Sequence, residues 1–294
     1  MRRRFFGSLG LLLVAAGCAV PPSGALSFEE DLSAWRVERD QALRSPSGYL
    51  SLVGLFWLEE GTQTIGSSPA CDIPLPLGRG PERVGKLTLT GGVVTFTAEP
   101  GAEVTLDGSP VSVSVMASDE KGPPPQVEAG SLTFWIIKRG DWLGVRVQDE
   151  QSPLLQSFSG TVAFPADPAW RVTGEFVPAD RALVVDVPNV LGTTYEEEVP
   201  GAIRVTLAGM EMELLPTGEP EEGLLLVFGD GTNGDETYGG GRFLWIDPPD
   251  SEGQVVLDFN RAYHPPCAFS PFTTCPSPLL ENQLPFRVRV GERW

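Results

Sequence analysis

The chain has one histidine, His264, in 294 residues. A Ser-His-Asp relay needs an imidazole free to take up and return a proton. Any such chemistry here would have to run through that single residue, which stands directly before Pro265. Neither a Gly-x-Ser-x-Gly elbow nor a phosphate-cradling Gly-Lys-Ser/Thr loop occurs, and no cofactor motif is present. Basic residues are scarce: 21 Lys and Arg face 39 Asp and Glu, a net charge of −18. So acidic a surface repels phosphate backbones, which argues against a nucleic-acid partner. It also repels anionic headgroups, so membrane attachment would need a separate anchor.

What is present fits a folded, turn-rich protein. Hydrophobic residues make up 41%, and 34 Gly and 28 Pro are scattered among short apolar runs. The length suits one large domain or two smaller ones.

The start of the chain carries the clearest signal. Arg2, Arg3 and Arg4 precede the apolar run from Phe5 to Ala16, which reads as a secretory leader and is too short to span a membrane comfortably. The run ends Ala15-Ala16-Gly17-Cys18, which resembles the lipobox of bacterial lipoproteins, with Ala15 where Leu is usual. The expectation is a signal peptide over residues 1–17, lipidation of Cys18, and a tether over 18–26 that holds the protein to the cell envelope. An uncleaved N-terminal anchor is the alternative. Loss of the three arginines would deepen the charge from −18 to −21. The paired arginines also resemble a twin-arginine export signal.

Ser27-Phe28-Glu29-Glu30 has the form of a capping box and predicts a helix over 28–44, ended by Ser45-Pro46-Ser47-Gly48. Beyond it the pattern is strand and turn. Lys86–Thr90 and Val93–Thr97 flank Gly91-Gly92 as a hairpin. Val104–Leu106 with Val111–Val115, and Leu132–Lys138 with Trp142–Val147, read as two more. Further strands are expected at 170–177, 182–187, 202–207, 224–228, 243–246, 255–259 and 286–290. The fold class is therefore mainly β: an N-terminal helix followed by an antiparallel sandwich or barrel-like body. The expected divisions are helix and first strand over 27–58, a β-sandwich over 59–178, and a C-terminal β region over 179–294 with polar loops.

Several segments together resemble the domain-of-unknown-function 1684 family of bacteria and archaea. They are Leu52-Val53-Gly54-Leu55-Phe56-Trp57-Leu58, Arg139-Gly140-Asp141 with Val145-Arg146-Val147, and Glu236-Thr237-Tyr238-Gly239-Gly240-Gly241-Arg242-Phe243. Asp258-Phe259-Asn260-Arg261-Ala262-Tyr263, Pro265-Pro266-Cys267-Ala268-Phe269, Cys275-Pro276 and Glu281-Asn282 continue the likeness. The resemblance implies no activity. His264 stands where the family pattern has Asn. A local likeness to a forkhead-associated sandwich runs from Ile65-Gly66-Ser67 to Val111. Ser67 replaces the arginine that reads phosphothreonine there, and the loop histidine is missing.

Three constellations could carry chemistry. Asp230, Thr232, Asn233, Asp235 and Glu236 are closely spaced oxygens but miss calcium-loop spacing, so they read as a polar turn and no metal site is expected. Cys267 and Cys275, eight apart in a proline-rich loop, are expected to form a disulfide outside the cytoplasm. A redox pair or a metal pair is the alternative, and Cys71 reads as a buried apolar side chain. The third set is Tyr238, Arg242, Asn260, Arg261, Tyr263, Glu281 and Asn282 as candidate ligand-binding residues, with Glu236 and Asp258 as candidate general acid or base. It fits a pocket for a small molecule or glycan, a carboxylate-driven hydrolase, or a purely structural network in a non-catalytic interaction module.

Overall fold

The structure, a computed structural model, describes residues 26–294. Cys18, the leader and nearly all of the tether lie outside them.

The first helix, Phe28–Leu43, begins as its sequence dictates. The Ser27 side chain accepts from the Glu30 amide, and the Glu30 carboxylate accepts from the Ser27 amide. Only Leu32 and Leu43 of the helix are buried. It is held largely by polar ties rather than by an apolar face. Arg39 reaches Glu292, Asp40 accepts from Thr161, and Arg44 donates to the Phe158 carbonyl. These ties fasten the start of the folded chain to its end.

Residues 52–149 form two facing sheets among the described residues. One has six strands, in the order Leu52–Trp57, Trp142–Asp149, Leu132–Arg139, Val127–Ala129, Thr105–Leu106 and Ser109–Pro110. The other has five: Ile73–Pro74, Gly61–Gly66, Gly85–Thr90, Val93–Ala98 and Val113–Met116. Alternate side chains of both sheets enter one core. Phe96 and Phe134 are fully buried there and meet edge to face at 5.7 Å, an arrangement worth about 0.5–1.5 kcal/mol beyond burial. The Gly91-Gly92 hairpin stands as expected, with both glycines at positive φ. The second expected hairpin does not. After Asp107-Gly108 the chain pairs back only over Ser109–Pro110, because Pro110 offers no N–H to continue the ladder. Val113–Met116 crosses to the other sheet instead.

Residues 153–294 build a second layer. An open four-stranded antiparallel sheet runs in the order Met210–Leu214, Thr194–Leu207, Arg171–Pro188, Gln254–Asp258. Its inner face packs on the hairpin of Leu224–Phe228 with Arg242–Ile246. Arg171–Pro188 is one strand where two were expected. A register shift between Pro178 and Leu183 absorbs the polar break. The expected strand over 286–290 is absent; the last strand is Glu292–Arg293, paired with Val162–Ala163. The chain is thus mainly β, with sheets that stay open rather than closing into a barrel. No helix among the described residues is long and apolar enough to cross a membrane.

Candidate functional site

The signature residues of the C-terminal region divide into two groups. Arg242, Asn260 and Asn282 are buried and bonded within the fold, with only the Arg242 Nε left unpaired. The Arg242 guanidinium donates to Asp230 Oδ2 at 2.7 Å and to the carbonyls of Val288 at 2.7 Å and Val290 at 2.6 Å. Burial pulls its pKa down, and the Asp230 carboxylate opposes that. Asn260 clamps the Asp167 backbone at both its N–H and its carbonyl, and also donates to Asp258. Asn282 binds both backbone groups of Leu215 and the Val227 carbonyl. These are folding devices. Glu236 is committed as well, accepting from Arg287 at 2.7 Å and Arg289 at 3.0 Å. With two arginines on its carboxylate it is held as an ion-pair partner rather than presented to a ligand. Asp230, Asp235 and Glu236 are all engaged with arginines, which accounts for the acidic turn without a cation. Glu281 is exposed.

Tyr238 donates its amide to His264 Nε2 at 3.3 Å, and burial raises its phenol pKa. His264 is buried beneath Trp294, 4.5 Å between ring centroids. Burial and the nearby Arg242 and Arg39 push its pKa down to about 3. An imidazole held neutral and accepting a backbone N–H is tied into the structure and poorly placed for proton transfer.

Asp258, Arg261 and Tyr263 do converge. They line an open groove of about 510 Å³ together with Trp35, Arg171, Trp245, Asp247, Asp250 and Gln254. Its walls come from the first helix, the edge strand Gln254–Asp258 and the strand Arg242–Ile246. A mixed charge cluster sits at one part: Arg261 donates to Asp31, and Asp258 Oδ2 lies 3.8 Å from Arg261 Nε and 4.0 Å from Arg171. Trp245 is 51% exposed, on the solvent side of a strand whose other side chains are buried. Arg39 stacks 4.6 Å over the Tyr263 ring from behind. Burial raises the Tyr263 phenol pKa. The groove adjoins a shallower trough of about 590 Å³ across the outer sheet face, with which it shares Thr173 and Gln254.

Sequence reasoning missed Trp35, Trp245 and Arg171. The available signal was the tryptophan at the outward position of Arg242-Phe-Leu-Trp-Ile246.

Cys267 and Cys275 are brought together, but they stand as free thiols rather than as the expected disulfide. Each backbone amide donates to the other's sulfur at 3.1 Å, so the loop is closed by N–H···S bonds in place of a covalent link. Cys71 is buried, as its composition context suggests. Ser67 is also buried, its hydroxyl turned to the carbonyls of Gly80 and Pro81.

These features define a two-layered, mainly β protein whose polar signature partly braces the fold and partly opens on a groove. The chain belongs to the family described as "Protein of unknown function (DUF1684)", whose model matches residues 156–293. It is similar to an uncharacterised protein of Haloarcula marismortui with a solution NMR structure, at 30% identity, over 47% of this chain and 78% of that one, with a TM-score of 0.40. No curated protein matches the chain.

Proposed function

We propose that this chain is an envelope lipoprotein, anchored through Cys18, that binds a neutral or amino-substituted glycan in the groove beneath the first helix. The observation that carries the reading is the pair Trp35 and Trp245 lining one groove with Arg171, Arg261 and Asp258. Aromatic faces cover the apolar face of a sugar ring, and charged side chains at the edge take its hydroxyls. Three aspartates and two arginines line the groove, so a phosphorylated or otherwise anionic ligand gains little there. Asp258 acts as a hydrogen-bond acceptor: its Oδ1 already takes the Asn260 amide, and Oδ2 faces the arginines.

The test is calorimetric titration of the full chain with a panel of neutral, amino and anionic oligosaccharides. Binding of at least one neutral or amino sugar is expected, weakened tenfold or more by Trp245→Ala. Trp245 is half exposed, so its removal leaves the core intact. A panel with no binder, or a binder indifferent to Trp245→Ala, would sink the reading. The anchor is tested separately: Cys18→Ser should release the protein from the membrane fraction.

A further inference from the structure

Arg146 is a cation in an unusual place. It is 9% exposed, its Nε has no hydrogen-bond partner, and no carboxylate lies within 4 Å of it among the described residues. Its one side-chain contact is a 3.4 Å bond to the Thr274 hydroxyl. The Asp119 carboxylate supports the Arg146 charge without a direct ion pair and is itself paired with Arg139, so a nearer anion is the expected complement of this buried guanidinium. Thr274 directly precedes Cys275, so its bond to Arg146 sets the guanidinium beside the loop that carries Cys267 and Cys275.

The thiol pair is asymmetric. Cys275 is buried, while Cys267 is part-exposed. Cys267 Sγ receives the Cys275 amide at 3.1 Å and lies 2.9 Å from the Thr273 hydroxyl, whose single hydrogen is shared with the Ser270 carbonyl. Donors gathered around one sulfur stabilise its anion. We infer that Cys267 is a nucleophilic thiolate site, charge-compensated by Arg146, with Cys275 as its resolving thiol. The neighbouring Cys275 and the Thr273 hydroxyl lower the Cys267 pKa, while that of Cys275 is raised by its neighbour and by burial. An accessible attacking thiolate beside a buried resolving thiol is the arrangement that thiol–disulfide exchange requires.

The co-reactant is a low-molecular-weight disulfide, RSSR. The Cys267 thiolate attacks one of its sulfurs, forming a mixed disulfide and expelling RS⁻. Cys275 then loses its proton to solvent and attacks Cys267 Sγ, closing the intramolecular disulfide and expelling the second RS⁻. The protein gives up two electrons, which the oxidant gains. The other charged or titratable groups near the pair are Arg139 with its partner Asp119, and the phenols of Tyr195, Tyr238 and Tyr263. None of these phenols ionises near neutral pH, so a titration below pH 8 reports the thiols.

The experiment is site-resolved alkylation of the full chain with iodoacetamide, read by peptide mass spectrometry from pH 5 to 9, followed by oxidation with glutathione disulfide. The expected result is that Cys267 reacts fastest, with a midpoint at least one unit below the ordinary thiol value of about 8.5. Arg146→Met should raise that midpoint and slow alkylation at pH 7 by about tenfold, and Arg146→Lys should restore much of it. Glutathione disulfide should leave a 267–275 bond in the wild type and a persistent glutathione adduct on Cys267 in Cys275→Ser. An ordinary midpoint for wild-type Cys267 would overturn the inference even if Arg146→Met fails to fold. So would an unchanged midpoint in a folded Arg146→Met, or the absence of any adduct in Cys275→Ser.

Discussion

The guanidinium of Arg242 and the carboxylate of Asp230 meet at 2.7 Å with neither side chain exposed. The same arginine collects the carbonyls of Val288 and Val290, and Asp230 Oδ1 accepts from the Val288 amide. One ion pair therefore organises the final segment of the chain. Breaking it from one side leaves an uncompensated buried charge, which typically costs about 3–5 kcal/mol. Arg242→Met is expected to lose that much stability in urea titration. Arg242→Lys should recover less than half of it, because an ammonium cannot serve a carboxylate and two carbonyls in a fixed plane. A lysine variant as stable as the wild type would contradict this account.

The three consecutive glycines before Arg242 differ sharply in what they tolerate. A Cβ at Gly239 would meet nothing closer than 3.8 Å. At Gly241, with φ +88°, it would lie 2.6 Å from Pro278 Cγ and 2.7 Å from the Phe228 carbonyl. Gly239→Ala should change stability by less than about 0.5 kcal/mol. Gly241→Ala should cost about 2 kcal/mol or more, through backbone strain and overpacking together. Thermal melts of the two variants compare them directly; equal shifts would show that the turn relaxes.

Asn282 binds three backbone groups on two separate segments, at 2.8, 2.9 and 3.0 Å. Asn282→Asp keeps the acceptor and loses both donations, leaving the carbonyls of Leu215 and Val227 without them. A loss of about 1–3 kcal/mol per strandable group is the ordinary scale. The variant should melt earlier than Asn282→Ser, which leaves room for water. The reverse order would mean that the carbonyls find other donors.

Much of the fold was legible where its code is local. The helix start follows from Ser27 and Glu30 alone, and the Gly91-Gly92 hairpin from its turn. The segment 286–290 alternates like a strand yet forms none, because its amide and carbonyls are taken by Asp230 and Arg242 in place of a partner strand. That could not be read from a local pattern. Likewise, the residues Tyr238 to Asn282 looked like one polar set, but burial splits them into braces and groove. The groove itself needs Trp35 from the first helix and Trp245 from a distant strand, a meeting that only the tertiary fold creates. Thr274 similarly joins Arg139 and Arg146 to the cysteine loop, uniting two sequence signatures that lie far apart.

His264 gives the molecule a predictable response to acid. Burial, with Arg242 and Arg39 close by, pushes its pKa down to about 3, against an ordinary value of 6.5. Between those values the unfolded chain binds a proton that the folded chain refuses, so stability falls as pH drops from about 6.5 towards 3. Glu292 acts in the opposite sense. Burial raises its pKa, so the folded state gains as that carboxyl takes up a proton. The histidine contribution should prevail, since its displacement from 6.5 to about 3 is large, on the order of 5 kcal/mol at the acid limit. His264→Gln removes it while leaving a side-chain oxygen near the position of Nε2, able to accept the Tyr238 amide. Urea titrations at pH 7, 5 and 4 should then show wild type losing stability more steeply than the variant, with the two close at pH 7. Parallel acid limbs would mean that His264 becomes protonated within the fold, through an opening of the Trp294 cover.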